Sequence, residues 1–206
     1  MLETDFIRAE KEIEPRLMIV LHGLGDSMDG YRWLPQAMQL PWLSYLLVNA
    51  PDRYYGGFAW YELEGDPGLG IQRSRKMLFE LLDHVRGEGF PAEKIIVFGF
   101  SQGCLMSIEI GARYPHRLAG IVGVSGYVHD LQRLVGELSP QALQQRFLIT
   151  HGTQDPLIPI EGVRLQMDAL RKAGLKIDWR EFAKAHTIAG DSELAVLRDF
   201  VNDSYV

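Results

Sequence analysis

The sequence predicts an α/β fold in which helices cover both faces of a mainly parallel central sheet. Short apolar runs of strand length alternate with longer amphipathic patterns of helical period, and this alternation is typical of parallel sheets. Most of the runs are continuously apolar, as expected for strands that are buried on both faces. Hydrophobic residues make up 47% of the 206 residues, enough for one sizeable core, so we expect a single domain over residues 1–206.

The strand candidates begin near the start of the sequence. Residues 16–21 form an apolar run that ends at His22-Gly23, and residues 43–48 form a second run that ends at Asn49-Ala50-Pro51. Residues 5–9 are a further candidate before them. Four later candidates follow the same reasoning, and they are residues 94–99, 118–124, 146–150 and 176–182.

Amphipathic patterns lie between and after the later strand candidates. Residues 71–85 place an apolar stripe on one side of a helix and charged residues on the others. Residues 103–114 form a second helix candidate, which stops before Pro115 because proline disfavours the helical conformation of the preceding residue. Residues 161–172 and 191–201 are two further amphipathic helix candidates.

The segment from residue 49 to residue 70 is predicted to be a long loop. It is rich in glycine, proline and aromatic residues, and loops of this length are often functional. We expect it to form a wall of a binding pocket that includes Phe58, Trp60 and Tyr61. Aromatic residues are also frequent in ordinary cores, and that alternative stays open for these three side chains.

Composition and charge exclude several classes of protein. Lys and Arg total 21 against 27 Asp and Glu, a formal net charge of −6, so the chain lacks the basic footprint that nucleic acid binding requires. No stretch approaches the roughly 18 apolar residues of a membrane-spanning helix. Charges occur throughout residues 1–12, which lack the apolar stretch of a signal peptide. Cys104 is the only cysteine, so no intramolecular disulfide can form, and no Cys or His pair has zinc-ligand spacing. We expect a cytoplasmic protein without a metal.

Gly99-Phe100-Ser101-Gln102-Gly103 matches the pattern Gly-x-Ser-x-Gly. The pentapeptide alone occurs by chance in many proteins, but here it follows a strand candidate and opens a helix candidate. In that context a serine becomes an exposed nucleophile on a sharp turn whose glycines leave room for the backbone. We predict that Ser101 is a nucleophile, with a structural glycine turn as the alternative. The neighbouring Cys104 lies inside the helix candidate, which favours a buried packing thiol over a second nucleophile.

A serine hydroxyl needs a base to become nucleophilic, and the base needs an acid to orient it. In proteins with this serine turn, the chain order is serine, acid, histidine. His186 is the only histidine after the strongest acid candidate, and it lies between a strand candidate and the last helix candidate. We therefore predict that His186 is the base, and a solvated loop histidine is the alternative.

Asp155 is the strongest candidate for the acid. It follows the strand candidate at residues 146–150, at the carboxyl end where ligands bind in open α/β sheets. Asp168, Asp178 and Asp191 are weaker candidates, because each lies within a predicted helix or strand or at a helix start. A turn aspartate with a purely structural role is the alternative for Asp155.

Acyl transfer also requires N–H donors for the tetrahedral oxyanion. The residue after the nucleophile supplies one such donor in this turn, and here it is Gln102. The loop His22-Gly23-Leu24-Gly25-Asp26 follows an early buried strand candidate, and its glycines let the backbone of Leu24 approach a substrate closely. We predict the backbone N–H groups of Leu24 and Gln102 as oxyanion donors. A phosphate-binding alternative is weak because no phosphate-loop spacing is completed.

Several blocks of sequence together resemble the acyl-protein thioesterases and small carboxylesterases of the phospholipase/carboxylesterase family. The blocks occur in the family's order and span nearly the whole chain, and they are Leu21-His22-Gly23-Leu24-Gly25-Asp26, Asn49-Ala50-Pro51, Ala59-Trp60-Tyr61, Gly99-Phe100-Ser101-Gln102-Gly103 and His151-Gly152-Thr153-Gln154-Asp155-Pro156. One segment departs from the family pattern. The family usually approaches its histidine through glycines, whereas this chain has Phe182-Ala183-Lys184-Ala185-His186.

The resemblance implies an α/β-hydrolase fold and a serine hydrolase without a cofactor, which cleaves carboxylic esters or thioesters of small or acyl-chain substrates through an acyl-enzyme. It implies Ser101, Asp155 and His186 as the triad, with Leu24 and Gln102 as oxyanion donors, in agreement with the assignment from the residues. Members of the family often form dimers, so a homodimer is expected on that ground alone. Two alternatives stay open, a lysophospholipase-type lipid esterase and a hydrolase-fold binding protein without catalysis.

Overall fold

The computed structural model describes residues 2–11 and 13–205. The strands, in chain order, are β1 (Thr4–Ile7), β2 (Leu17–Leu21), β3 (Ser44–Val48), β4 (Asp52–Tyr54), β5 (Gly57–Ala59), β6 (Ile95–Phe100), β7 (Gly120–Val124), β8 (Arg146–Gly152) and β9 (Lys176–Phe182). Seven of them form one sheet with the order β1-β3-β2-β6-β7-β8-β9. Only β1 is antiparallel to its neighbour, so the predicted α/β fold with a mainly parallel sheet is confirmed.

Helices connect the strands. They are α1 (Leu34–Met38), α2 (Pro67–Gly87), α3 (Gln102–Arg113), α4 (Leu131–Gly136), α5 (Ile160–Lys172) and α6 (Asp191–Asp203), with short 3₁₀ turns at Met28–Tyr31 and Ala92–Lys94. The four helices predicted from amphipathic patterns are all present. The short helices α1 and α4 were not predicted, because five or six residues carry too few turns to display a helical period.

Two hydrophobic clusters hold the helices on opposite faces of the sheet. One cluster joins β2, β6 and β8 to the apolar stripes of α2, α3 and α5, through side chains such as Leu78, Leu105 and Val163. The other joins the opposite face of the same strands to α1 and α6. Most central strands are buried at every position, which explains why their sequences are continuously apolar rather than alternating.

The segment from residue 49 to residue 70 is more ordered than the predicted loop. It contains the antiparallel hairpin of β4 and β5, and α2 begins at Pro67, earlier than the expected residue 71. The Asp66 carboxylate accepts a hydrogen bond from Gly68 N–H at 2.9 Å and caps the helix, while proline suits the first helical position. Proline and glycine near residue 67 hid this start, because both residues usually indicate a turn.

The strand order positions the functional residues. The chain runs from β2 outward to β3 on one side and later continues with β6 on the other side of β2, which creates a crevice at the carboxyl ends of β2 and β6. The loop with Leu24 follows β2 and Ser101 follows β6, so both border this crevice. Asp155 and His186 follow the neighbouring strands β8 and β9 at the same edge of the sheet. Across residues 2–11 and 13–205, no helix is both long enough and apolar enough to cross a membrane.

Candidate active site

Ser101 occupies the turn between β6 and α3 in a left-handed conformation, with φ of 54° and ψ of −115°. Such a conformation costs on the order of 1–3 kcal/mol for a residue with a side chain, so the surroundings must enforce it. The Ser101 N–H donates to the carbonyl oxygen of Val124 at 2.9 Å. A β-carbon on Gly99 would collide with the Gly103 carbonyl oxygen, and one on Gly103 would collide with the Leu21 carbonyl oxygen. The glycines of the motif are therefore required by this close packing.

Ser101, His186 and Asp155 form a continuous chain of hydrogen bonds. The Ser101 Oγ lies 2.9 Å from His186 Nε2, and His186 Nδ1 lies 2.7 Å from Asp155 Oδ2. A carboxylate only accepts hydrogen bonds, so Nδ1 carries the ring proton and Nε2 is free to accept from the serine hydroxyl. The structure brings the three predicted residues together in the arrangement that transfers a proton from serine to histidine.

Asp155 is held as a carboxylate. Burial alone would raise its pKa, but hydrogen bonds from Ile158 N–H, from His186 and from Leu157 N–H outweigh burial and hold the pKa below its ordinary value. The two backbone donors each lie 2.9 Å from Asp155 Oδ1. His151 donates from Nε2 to the Ile158 carbonyl oxygen at 2.9 Å and so braces the same turn. The carboxylate therefore faces His186 in a fixed orientation.

Gln102 contributes to the site through both its backbone and its side chain. As the first residue of α3, its N–H has no acceptor within the helix and lies at the positive end of the helix dipole. Its side-chain oxygen accepts from Trp60 N–H at 2.9 Å, and its side-chain amide donates to the Tyr61 carbonyl oxygen at 2.9 Å. Gln102 thus fixes the segment after β5 against α3, a role that sequence reasoning did not find.

The loop that carries Leu24 is fixed by His22. Ala50 N–H donates to His22 Nε2 at 3.1 Å, so the ring proton is on Nδ1, which donates to the Gly23 carbonyl oxygen at 2.6 Å. Burial lowers the pKa of His22, which favours this neutral form. Trp60 Nε1 donates to the His22 carbonyl oxygen at 2.8 Å. These bonds fix His22 and Gly23, at the start of the loop, close to Ser101.

A cavity of about 720 Å³ opens at Ser101 and His186, and its walls are mainly apolar. Leu24 and Gln102 border it together with Ser101. Further lining side chains come from the segment after β5, from the loop after β7, from the loop before α5 and from the first turn of α5, and they include Tyr61, Leu63, Tyr127, Leu157, Ile158 and Val163. Because these residues are far apart in sequence and lack a common motif, the sequence alone gave no signal for most of them.

The three aromatic residues expected at the pocket differ in their positions. Tyr61 lines the cavity, and its hydroxyl lies 3.2 Å from the hydroxyl of Tyr127. Trp60 and Tyr61 are both fully buried, but Trp60 does not line the cavity, because its indole is turned into the core toward His22. Phe58 also lies outside it and packs beneath the guanidinium of Arg53. The expectation that Trp60 and Phe58 form part of the pocket wall is therefore corrected for this cavity.

A second, smaller cavity of about 400 Å³ also borders His186. The two cavities share Asp26, Phe100 and His186. The second one is bordered by Trp33, which is 42% exposed, and by Ile188. His186 therefore borders both cavities, whereas Ser101 lines the larger of the two.

Cys104 is completely buried beside the site. Burial raises the pKa of its thiol to about 12, which fits the expected packing role. In the part of the chain that the structure describes, no group of three or more His, Cys, Asp or Glu side chains is arranged to hold a metal ion.

Comparisons with known proteins give a consistent result. A model of the phospholipase/carboxylesterase family matches residues 2–204. Acyl-protein thioesterase 1 of Schizosaccharomyces pombe is 33% identical over 155 residues, covering 69% of each chain, and that of Debaryomyces hansenii is 27% identical over 208 residues, covering 90% of each. The crystal structure of Zea mays acyl-protein thioesterase 2 superposes with a TM-score of 0.81 at 23% identity, over 99% of both chains, and this likeness concerns the fold.

The parallel sheet with its serine turn defines an α/β hydrolase, and the expected fold class is confirmed. The chain belongs to the phospholipase/carboxylesterase family. It is a serine hydrolase that acts on ester or thioester bonds. These relatives favour neither the lipid esterase nor the non-catalytic binding protein that the sequence left open.

Proposed function

We propose that the chain hydrolyses a carboxylic ester or thioester in two steps through an acyl group on Ser101. In the first step, Ser101 Oγ attacks the carbonyl carbon while His186 Nε2 takes the hydroxyl proton. The tetrahedral intermediate then collapses, and His186 gives the proton to the leaving oxygen or sulfur. A water molecule repeats the sequence on the acyl-enzyme and releases the carboxylic acid.

The observation that carries this proposal is the unbroken chain of hydrogen bonds from Ser101 Oγ to His186 and on to Asp155, at 2.9 Å and 2.7 Å, beside an open cavity. Asp155, with its lowered pKa, stabilises the imidazolium that forms in each step. The N–H groups of Leu24 and Gln102 are the proposed donors to the oxyanion. The N-terminal end of α3 supports the same charge electrostatically.

The two cavities suggest how the substrate is oriented. The large apolar cavity suits the acyl group, because burial of methylenes supplies about 0.8 kcal/mol each and needs few polar contacts. We assign the leaving group to the smaller cavity between Trp33 and Ile188. In this orientation the leaving atom lies beside His186, within reach of the proton that the histidine returns. Tyr61 is the proposed substrate contact among the aromatic residues named from the sequence.

A substrate panel and a matched pair of serine variants test the proposal. Ser101→Ala should abolish nearly all hydrolysis and all labelling by a fluorophosphonate probe. Ser125→Ala is the control, because Ser125 also has a positive φ, of 55°, and its buried hydroxyl has no partner among the described residues. Equal activity in both variants would reject Ser101 as the nucleophile. Asp155→Asn should reduce turnover on the order of ten-thousandfold.

The panel compares oxygen esters, thioesters and lysophospholipids that carry the same acyl group. Faster cleavage of the ester or thioester supports an acyl-group hydrolase, whereas faster cleavage of the lysophospholipid indicates a lipid esterase. The acyl chain is kept constant across the panel so that a difference in rate reflects only the leaving group.

The setting of the reaction is also part of the proposal. Family membership supports a homodimer and an ester, thioester or lipid-acyl substrate, and the charge of −6 argues against nucleic acid as a partner. A cytoplasmic location fits a chain with a single buried cysteine. The single domain over residues 1–206 and the absence of a cofactor also remain predictions. Light scattering measures the oligomeric state, and cell fractionation measures the location. Limited proteolysis tests the single domain, and activity assays in chelator test for a metal cofactor.

A further inference from the structure

A buried ion pair joins the loop after β9 to the first turn of α6. Lys184 Nζ lies 2.6 Å and 2.8 Å from the two carboxylate oxygens of Glu193. The Lys184 side chain is 3% exposed and the Glu193 side chain is not exposed at all. Burying two charges requires the removal of their hydration, and an apolar pair of similar size often stabilises a fold as well or better. Stability alone therefore does not account for this pair.

The contacts of Glu193 lie on both sides of His186 in the chain. Lys184 precedes the histidine by two residues. Ala189 follows it by three, and its N–H donates to Glu193 Oε2 at 2.6 Å. The Thr150 hydroxyl in β8 also donates to this carboxylate and orients it from the sheet. One side chain on a rigid helix therefore holds both ends of the short segment that carries His186.

The backbone of the same segment is held on its other side by the turn before Asp155. Gln154 N–H donates to the Lys184 carbonyl oxygen at 3.1 Å, and Thr153 N–H donates to the Phe182 carbonyl oxygen at 2.9 Å. A β-carbon on Gly152 would collide with the Lys184 carbonyl oxygen. The segment is thus clamped between this turn and Glu193. Beyond His186, Ala189 is held by Glu193 and by the Ser192 hydroxyl, which donates to the Ala189 carbonyl oxygen at 3.1 Å.

We propose that Glu193 is a positioning residue, which aligns His186 with Ser101 and Asp155 by holding Lys184 and Ala189. The inference rests on the proposed role of His186. His186 must meet two partners at once, at 2.7 Å and 2.9 Å, and a displacement of about 1 Å costs on the order of a hundredfold in rate. Glu193 and Lys184 touch no substrate, because neither side chain lines the two cavities that border His186.

Three variants test the proposal. Glu193→Gln keeps an oxygen that can accept from Ala189 but breaks the pairing with Lys184. The double variant Lys184→Met with Glu193→Gln removes the unpaired buried charge as well. Glu109→Gln is the matched control, since Glu109 is 5% exposed and pairs with Arg75 and Arg113 at 2.8 Å and 2.7 Å on α3, away from the serine. Each variant is measured for Tm, kcat, KM and the rate of fluorophosphonate labelling.

We expect Glu193→Gln to lower kcat and the labelling rate by about 10-fold to 100-fold, with KM changed less than about twofold. The double variant should regain Tm relative to Glu193→Gln without regaining kcat, because the attachment before His186 is still absent. Glu109→Gln should lose Tm and keep the wild-type kcat. This combination separates alignment of His186 from general stability.

Three results would overturn the inference. They are a wild-type kcat in Glu193→Gln, a double variant that regains kcat together with Tm, and an equal loss of kcat in Glu109→Gln. If Glu193→Gln does not fold, the double variant decides by the same criteria. Failure of the wild-type protein to label at Ser101 would instead refute the proposed function itself.

Discussion

Filling the space beside Gly162 should shorten the acyl chains that the enzyme accepts. Gly162 lies in the first turn of α5 and borders the large cavity. A β-carbon added there meets no atom within 4 Å. The side chain of Gly162→Leu is therefore expected to enter the cavity rather than the core. Because glycine inside a helix costs roughly 0.5–1 kcal/mol, the variant should unfold at a slightly higher temperature than the wild type.

The magnitude follows from the acyl methylenes that lose their site. A leucine side chain displaces about three methylenes of a long acyl chain, and each contributes about 0.8 kcal/mol when buried. The sum is about 2.4 kcal/mol, which corresponds to a loss of about 50-fold in kcat/KM. An acetyl group ends near Ser101 and should lose less than about twofold.

The assay measures kcat/KM for p-nitrophenyl esters from acetyl to dodecanoyl. Gly136→Leu is the control, because Gly136 is also a helical glycine with no atom within 4 Å of an added β-carbon, and it lies outside the cavity. An equal loss for acetyl and dodecanoyl esters in Gly162→Leu would refute the reasoning. So would an equal loss of long-chain activity in Gly136→Leu.

Three further predictions concern groups around the site and on the surface. Gln102→Ala keeps the backbone N–H of residue 102 but leaves the Trp60 N–H and the Tyr61 carbonyl without their partners, at about 1–3 kcal/mol each. The free energy of unfolding measured in urea should therefore fall by about 2–6 kcal/mol. An unchanged urea midpoint would contradict this. Hydrogen bonds from Arg164 and Trp179 lower the pKa of Glu181 from 4.5 to about 2, so its stabilising effect is present above pH 4.5 and is lost as the pH falls toward 2. The difference in Tm between the wild type and Glu181→Gln should therefore close over that interval, and a difference independent of pH would exclude this effect. Cys104 should resist iodoacetamide in the native protein at mildly alkaline pH and react in urea, as measured by mass spectrometry; rapid native alkylation would show that its thiol is accessible.

The predictions from the sequence match the structure most closely where they rest on neighbouring residues. The apolar runs predicted the central strands, and the motif around Ser101 predicted the turn between β6 and α3. Both predictions were correct because neighbouring residues largely determine burial and backbone conformation. The start of α2 was placed too late, since Pro67 and Asp66 are as typical of turns as of a capped helix. The turn and the capped helix start can be distinguished only once the helix itself is seen in the structure.

The candidate site depended on contacts across long stretches of chain. Chain order alone singled out Asp155 and His186, but the 2.9 Å contact of His186 with Ser101 joins residues 85 positions apart and requires the strand order of the sheet. No local signal indicates that Tyr61 borders the cavity while Trp60 packs against His22, because both residues follow the same short strand. The catalytic roles of Ser101, Asp155 and His186 and the binding role of Tyr61 remain predictions that the proposed experiments address.

The sequence by itself therefore determined the chain order of the seven strands of the main sheet and of the four longest helices, the glycine turn around Ser101, and the residue types able to act as acid and base. Tertiary structure alone decided which side chains line the two cavities and that Glu193 holds both ends of the segment around His186. The reason is physical. A pattern of neighbouring residues encodes backbone conformation and burial, whereas the partner of a side chain depends on which distant strand or helix packs against it.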